Sequence, residues 1–169
     1  NPNLKAYNGE TALNSASKNG DLEVVQLLLD HKADINVKNN EGLTALSVAA
    51  QKGNIKTIQL LLENGANPNV KNDDGSTPLF IAIRESDIQI VRLLLSHKAD
   101  PNVRDQKGVT PLCIAVVGNG NPITKFRSDH KDGIRLSDLA YVARAGDPEI
   151  VQLLLINKAN PNVSLQTSH

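Results

Sequence analysis

Gly-Ser-Thr-Pro-Leu at residues 75–79 decides the fold, because the chain repeats this stretch at a fixed interval. Related copies begin at Gly9, Gly42 and Gly108, and each of these glycines lies 33 residues from the next one along the chain. A constant period of about 20 to 50 residues is typical of solenoids, in which each unit packs against its neighbours. The sequence therefore predicts a stack of similar units.

Two helices are predicted in each unit. The first begins at a threonine whose hydroxyl can accept a hydrogen bond from a free N–H of the first turn, and in two units proline follows at the first helical position. These threonines are Thr11, Thr44, Thr77 and Thr110. Gly20 and Gly53 suit the left-handed residue that ends a first helix. The second helix contains Leu-Leu-Leu, at residues 27–29, 60–62, 93–95 and 153–155.

Together these motifs resemble the ankyrin repeat family, which has Thr-Pro-Leu in the first helix, Leu-Leu-Leu in the second and Ala-Asp/Asn-x-Asn-Val in the outgoing loop. The match covers residues 1–118 and 137–163. The resemblance implies an all-α fold, a curved, right-handed solenoid of four to five stacked helix pairs with hairpin-like loops at one edge. We expect one domain over residues 1–169, with repeats at about 1–36, 37–69, 70–102 and 103–163.

The chain departs from the family pattern where the family usually has glycine. Lys32, Lys98 and Lys158 stand in the loop after the second helix, where only Gly65 conforms. Ser86 replaces the glycine expected between the helices of the third unit. If these residues adopt positive φ, each costs about 1 kcal/mol relative to glycine, because its Cβ crowds the backbone.

The fourth unit is irregular. Its Leu-rich motif is delayed by an insertion near residues 119–136, and residues 137–146 align with a degenerate first helix. Two topologies fit the sequence: one enlarged fourth repeat, or a truncated fourth repeat followed by a fifth. We expect the insertion to be a protrusion that is mobile or ordered by a partner, and dispensable for folding. Since neither end shows an obvious polar cap, we expect the chain to be a piece of a longer protein.

Composition excludes several classes of function. Lys plus Arg and Asp plus Glu both number 18, so no net field attracts nucleic acid or an anionic membrane. No apolar run approaches the roughly 20 residues that span a bilayer. The single cysteine argues against a disulfide-stabilised extracellular domain. We expect a cytoplasmic protein, or one in the host cytoplasm if it is a secreted effector, with no nucleic acid, membrane or small-molecule substrate as partner.

No constellation of residues predicts catalysis. Cys113 with His130 is a weak candidate for nucleophile and base, because Cys113 follows a helix start where a small buried side chain is expected. His31 and His97 occupy equivalent positions two units apart, roughly 20 Å, which is too far for one metal ion. No glycine loop of the phosphate-binding type occurs. We expect no enzyme activity, no cofactor and no metal.

Residues that vary between units mark the surface available to a partner. They lie at the hairpin tips and on the exposed side of each first helix, positions that form the concave partner-binding surface in the ankyrin family. We call this set the concave face: Tyr7, Asn8, Glu10, Lys18, Asn19, Asn40, Glu41, Leu43, Gln51, Lys52, Asp73, Asp74, Ser76, Arg84, Glu85, Gln106, Lys107 and Val109. Tyr7 and Leu43 are the predicted anchors, since exposed aromatic and apolar side chains dominate interface energies.

The predicted function is a protein–protein interaction module that binds its partner through the concave face. The alternative is a targeting or regulatory segment of a multidomain enzyme or of a secreted bacterial effector. A catalytic domain elsewhere in the complete gene would favour the alternative.

Asn36 is a candidate site of hydroxylation. The segment around it, with Leu28 eight residues before and Asp34 two residues before, resembles the ankyrin segment modified by an asparaginyl hydroxylase of animal cells. Asn69, Asn102 and Asn162 match less well because proline precedes each of them. The alternative is a purely structural asparagine whose amide ties neighbouring turns together.

Incubation of the protein with that hydroxylase is expected to add one oxygen to the peptide that contains Asn36, as read by mass spectrometry. An Asn36→Gln variant is the matched control and is expected to gain nothing. An unmodified Asn36 peptide after complete modification of a reference substrate would contradict the prediction.

Overall fold

The computed structural model describes residues 1–117 and 147–161, which form helices in antiparallel pairs and contain no strand. The predicted all-α stack of helix pairs is confirmed. The pairs are α1 (Ala12–Asn19) with α2 (Leu22–Asp30), α3 (Ala45–Lys52) with α4 (Ile55–Glu63), α5 (Pro78–Arg84) with α6 (Ile88–Ser96), and α7 (Pro111–Val117) with α8 (Pro148–Ile156). In this part of the chain, no helix has the length and apolar character needed to cross a membrane.

The predicted threonine caps are present in three of the four first helices. The hydroxyls of Thr11, Thr44 and Thr110 accept hydrogen bonds from the backbone N–H three residues later, at 3.3, 3.3 and 3.4 Å. Thr77 makes no such bond, and its buried hydroxyl has no partner among the described residues. In the capped helices the third residue carries a polar side chain that also contacts the hydroxyl, whereas the third unit has Phe80 there.

Aliphatic side chains from every pair fill a core that runs along the stack. Val25, Ile58 and Val91 occupy equivalent positions in the second helices and are each 0% exposed. The leucines that follow the threonine caps are buried at the same interval in all four units. Because each helix pair contacts the next, with α1 on α3, α3 on α5 and α5 on α7, burial in one unit depends on its neighbours.

Hairpin-like turns precede the first helices and touch one another through their backbones. In the second unit, Asn39 N–H donates to Leu43 O and Gly42 N–H to Asn39 O. Gly42 has φ +74°, and a Cβ there would lie 2.6 Å from the backbone nitrogen of Asp73 in the next hairpin. A Cβ at Gly75 would likewise lie 2.7 Å from the backbone nitrogen of Gln106. Glycine is required at these tips for its φ and for the missing side chain.

The last described helix packs as the second helix of the fourth unit. It contacts α7 and α6, and Asp147 N–H donates to Ala115 O at 3.2 Å. The equivalent bond in the first unit joins Asp21 N–H to Ala16 O at 3.1 Å. Both topologies, one enlarged fourth repeat and a truncated fourth repeat followed by a fifth, stay predictions. The predicted insertion at 119–136 and the predicted helix at 137–146 lie outside the described residues.

The lysines that replace glycine adopt the left-handed conformation, as the sequence predicts. Lys32, Lys98 and Lys158 have φ values of +60°, +66° and +68°, and Ser86 has φ +57°. Gly65, at the position equivalent to these lysines, has φ +86°. Each lysine therefore stores backbone strain in the loop that leaves its second helix.

Lys32→Gly and Lys98→Gly are each expected to raise the free energy of unfolding by about 0.5–1 kcal/mol, because glycine tolerates positive φ without a Cβ clash. Urea denaturation measures the change. Gly65→Lys is the matched reverse variant, since a Cβ at Gly65 would meet no atom within 4 Å and its cost would come from φ alone. Lower stability of both Lys32→Gly and Lys98→Gly would contradict the backbone strain assigned to these lysines.

Candidate partner-binding surface

Most of the predicted concave face is exposed in the structure. Fourteen of its residues are exposed and Glu10 is half-buried. Tyr7, a predicted anchor, is fully exposed on the first hairpin, and its carbonyl oxygen accepts a hydrogen bond from Asn40 Nδ2 at 3.2 Å. Lys18 lies 3.9 Å from Glu10 across the first unit. The exposed residues of the hairpins and first helices are thus mostly polar or charged.

Three predicted contact residues are buried, and the expectation that they are exposed is wrong. Leu43, Ser76 and Val109 are 7%, 1% and 5% exposed. Each follows a hairpin glycine and leads the chain into the stack just before the threonine cap. Leu43 joins the main core, while Val109 packs in a smaller cluster with Phe80 and Cys113.

Ser76 is hydrogen-bonded at its buried position. Its N–H donates to the side-chain oxygens of Asn72 and Asp74, each at 2.8 Å. Its hydroxyl lies 3.4 Å from Arg84 Nη2, which donates to it. Ser76 therefore holds the third hairpin against its own first helix.

A groove of about 360 Å³ opens on the concave face between the second and third units. Leu43 and Ile81, each 7% exposed, contribute apolar side chains to its lining. Leu43 thus stays part of the site as a lining residue, although it is no projecting anchor. The charged residues of the lining are four carboxylates and one guanidinium: Glu41, Asp73, Asp74, Glu85 and Arg84.

Asp74 is held in its ionised form by its surroundings. Partial burial acts to raise its pKa, but hydrogen bonds from Ser76 and the nearby Arg84 guanidinium outweigh that effect and lower the pKa below its ordinary value. The backbone oxygen of Asp74 also accepts from Gln106 N–H at 3.0 Å. This carboxylate therefore orders the hairpin as well as lining the groove.

Some predicted contact residues also join hairpins. Asn40 Nδ2 donates to Tyr7 O, and Gln106 Nε2 donates to the backbone oxygen of Asp73. These side chains therefore connect neighbouring hairpins within the stack. Variation between units marks such structural residues as well as residues that contact a partner. Two groove residues, Asn72 and Ile81, are not in the predicted set. The signal for Ile81 is helical spacing, since it lies three residues before Arg84 and four before Glu85 on one side of the first helix.

Asn36 lies in the loop that follows α2, and it links two units. Its Oδ1 accepts from Asn67 N–H at 2.9 Å, and Asn69 Oδ1 accepts in the same way from Asp100 N–H at 2.8 Å. Asn102 continues the series by accepting from Asn160 N–H at 2.7 Å. The structural role expected of these amides is confirmed, while hydroxylation of Asn36 stays a prediction.

The residues weighed for chemistry have structural partners. Cys113 is 6% exposed, and its Sγ accepts from the Thr110 hydroxyl at 3.2 Å. His130 lies outside the described residues. Nδ1 of His31 and of His97 lies 2.8 and 2.9 Å from the carbonyl oxygens of Leu27 and Leu93, each at the end of a second helix.

A second, larger groove lies on the other side of the stack, between α2 and α4. It has a volume of about 580 Å³, and Leu22, Leu27 and Leu60 contribute its apolar lining. Glu23, Asp30, Glu63 and Lys56 line it as well. Since Gln26 donates to Asp30 at 2.7 Å and Gln59 to Glu63 at 2.8 Å, two of its carboxylates have partners on their own helices.

Comparison of the sequence with known families finds ankyrin repeats over most of the chain. A family model of ankyrin repeats in three copies matches residues 1–72 and 64–132. A model of a single ankyrin repeat matches residues 139–165, which contain α8. No curated protein is significantly similar to the chain.

Asp74→Asn is expected to lower the free energy of unfolding at about pH 7 and to leave it nearly unchanged at about pH 2. A folded-state pKa below the ordinary value of about 3.9 means that ionised Asp74 stabilises the protein above that value. The stabilisation is lost as the pH falls through the lowered folded-state pKa. Urea melts of both proteins across this range measure it, and a pH-independent difference would contradict the assignment.

Proposed function

This chain belongs to the ankyrin repeat family, and from that premise we propose that it binds another protein through the concave face. Ankyrin repeats are generally protein-interaction modules, and the groove between the second and third units is the observation that supports this location. It joins charged residues to a small apolar lining, and protein interfaces likewise combine an apolar centre with a polar rim. The exposed members of the concave face are the proposed contacts.

The first helices and hairpins carry this surface on a rigid frame. The second and third hairpins are tied by Asp73 N–H to Glu41 O, and the third and fourth by Gln106 N–H to Asp74 O. Binding to such a frame costs little backbone ordering entropy, because the hairpin backbones are already fixed relative to one another. A partner that spans several units therefore gains from each additional contact.

A protein partner is favoured over nucleic acid or a membrane because the charges of the chain balance and the groove is acidic. We propose that the module itself performs no catalysis. The alternative, a targeting segment of a larger enzyme or effector, would use the same surface, since such a segment also acts by binding.

Photo-crosslinking in the native cell tests which side binds. A photoreactive phenylalanine analogue placed at Gln51 or Glu85 on the concave face is expected to yield a covalent adduct with a partner protein. The same residue at Gln26 or Gln59, which line the groove on the other side, is the matched control and is expected to yield none. Adducts from the control positions alone, or from no position, would contradict the proposal.

A further inference from the structure

We propose that the segment bound in the concave groove is basic, with a Lys or Arg side chain next to an apolar residue. This inference rests on the proposed function and narrows it, because it states the chemistry of the partner at one place on the surface. It is carried by the charge of the groove, by its apolar lining and by its size.

The charge of the groove differs from that of the chain. Overall the sequence is balanced, with 18 basic and 18 acidic residues. The groove lining has four carboxylates against one guanidinium, a local excess of three negative charges. A concave site concentrates such a field, so a cationic side chain is the complementary occupant and an anionic one is repelled.

The neighbouring units do not share this excess. In the first unit Lys18 lies 3.9 Å from Glu10 and balances it. In the fourth unit the hairpin tip carries Gln106 and Lys107 where the third unit has Asp73 and Asp74. On the concave face, the acidic excess therefore lies between the second and third units, and a basic side chain would be directed to this point of that face.

The apolar lining makes the match more specific than charge alone. Leu43 and Ile81 are mostly buried but still reach the groove. Lysine and arginine place their methylene stems along apolar surface while the charged head remains at a polar site. One such side chain can cover Leu43 and Ile81 with its stem and reach the carboxylates with its head, and an adjacent apolar residue can share that lining.

The size of the groove sets how much of the partner it holds. Its volume of about 360 Å³ is at the low end for ligand pockets, which span about 300–1,000 Å³. It therefore accommodates one or two side chains of an extended segment. The rest of the partner would lie along the exposed residues of the neighbouring hairpins and first helices.

Selection from a random dodecapeptide library displayed on phage tests the inference with the full chain as bait. Peptides that carry Lys or Arg beside an apolar residue are expected to be enriched. The triple variant Glu41→Gln, Asp73→Asn, Glu85→Gln is expected to bind the selected peptide about tenfold more weakly or worse, by fluorescence polarisation, because charge-assisted contacts are lost. Asp74 is left intact because it orders the hairpin through Ser76.

The control variant Glu23→Gln, Asp30→Asn, Glu63→Gln removes the same number of negative charges from the groove on the other side. It is expected to bind the selected peptide as the unaltered chain does. Circular dichroism confirms that both triple variants keep their helices.

Enrichment of acidic or uncharged peptides, no enrichment at all, or equal loss in both triple variants would overturn the inference. The outcome separates it from the proposed function. Crosslinks from the concave face together with selection of non-basic peptides would support the proposed binding face and contradict only the basic partner. Crosslinks from Gln26 or Gln59 alone would contradict both the binding face and the basic partner.

Discussion

The close approach of successive hairpins at their glycines is the contact on which the rest of the structure depends. At Gly42 and Gly75 the next hairpin comes so near that a Cβ would lie within 2.7 Å of its backbone. This spacing sets the distance between helix pairs, so it also sets how completely the leucines and valines of one unit are covered by the next. The groove between the second and third units is the space that remains open on the concave face when two helix pairs lie at this distance.

Much of the fold could be predicted because it follows from local rules repeated at one interval. Thr11 and Thr44 were identifiable as caps from residue type and position, and the positive φ of Lys98 followed from its place in the repeat. The missing cap at Thr77 did not follow from that pattern. Three residues after Thr77 the third unit has Phe80, where the capped units carry Asn14, Ser47 and Cys113.

The candidate site was harder to predict, because variation between units does not tell whether a side chain is exposed or buried. Leu43 and Val109 vary as surface residues do, yet the chain turns inward at these positions and buries them. Ile81 was not among the predicted contact residues, although it reaches the groove. The excess of negative charge in the groove could be recognised only from the structure, in which residues of two units line the same groove.

The side-chain links between units have a consequence for how such an array changes length. Asn69 Oδ1 accepts from a residue 31 positions later, whereas Asn102 Oδ1 accepts from one 58 positions later, and the bond is of the same kind. Elsewhere the contacts recur every 33 residues, so duplication or loss of whole units preserves all of them and any other change shifts the register. The connection between α7 and α8 is the exception, since extra residues there leave the bonds on either side intact. In evolution this array can therefore grow in whole units along its axis, and by extra residues at the connection between α7 and α8.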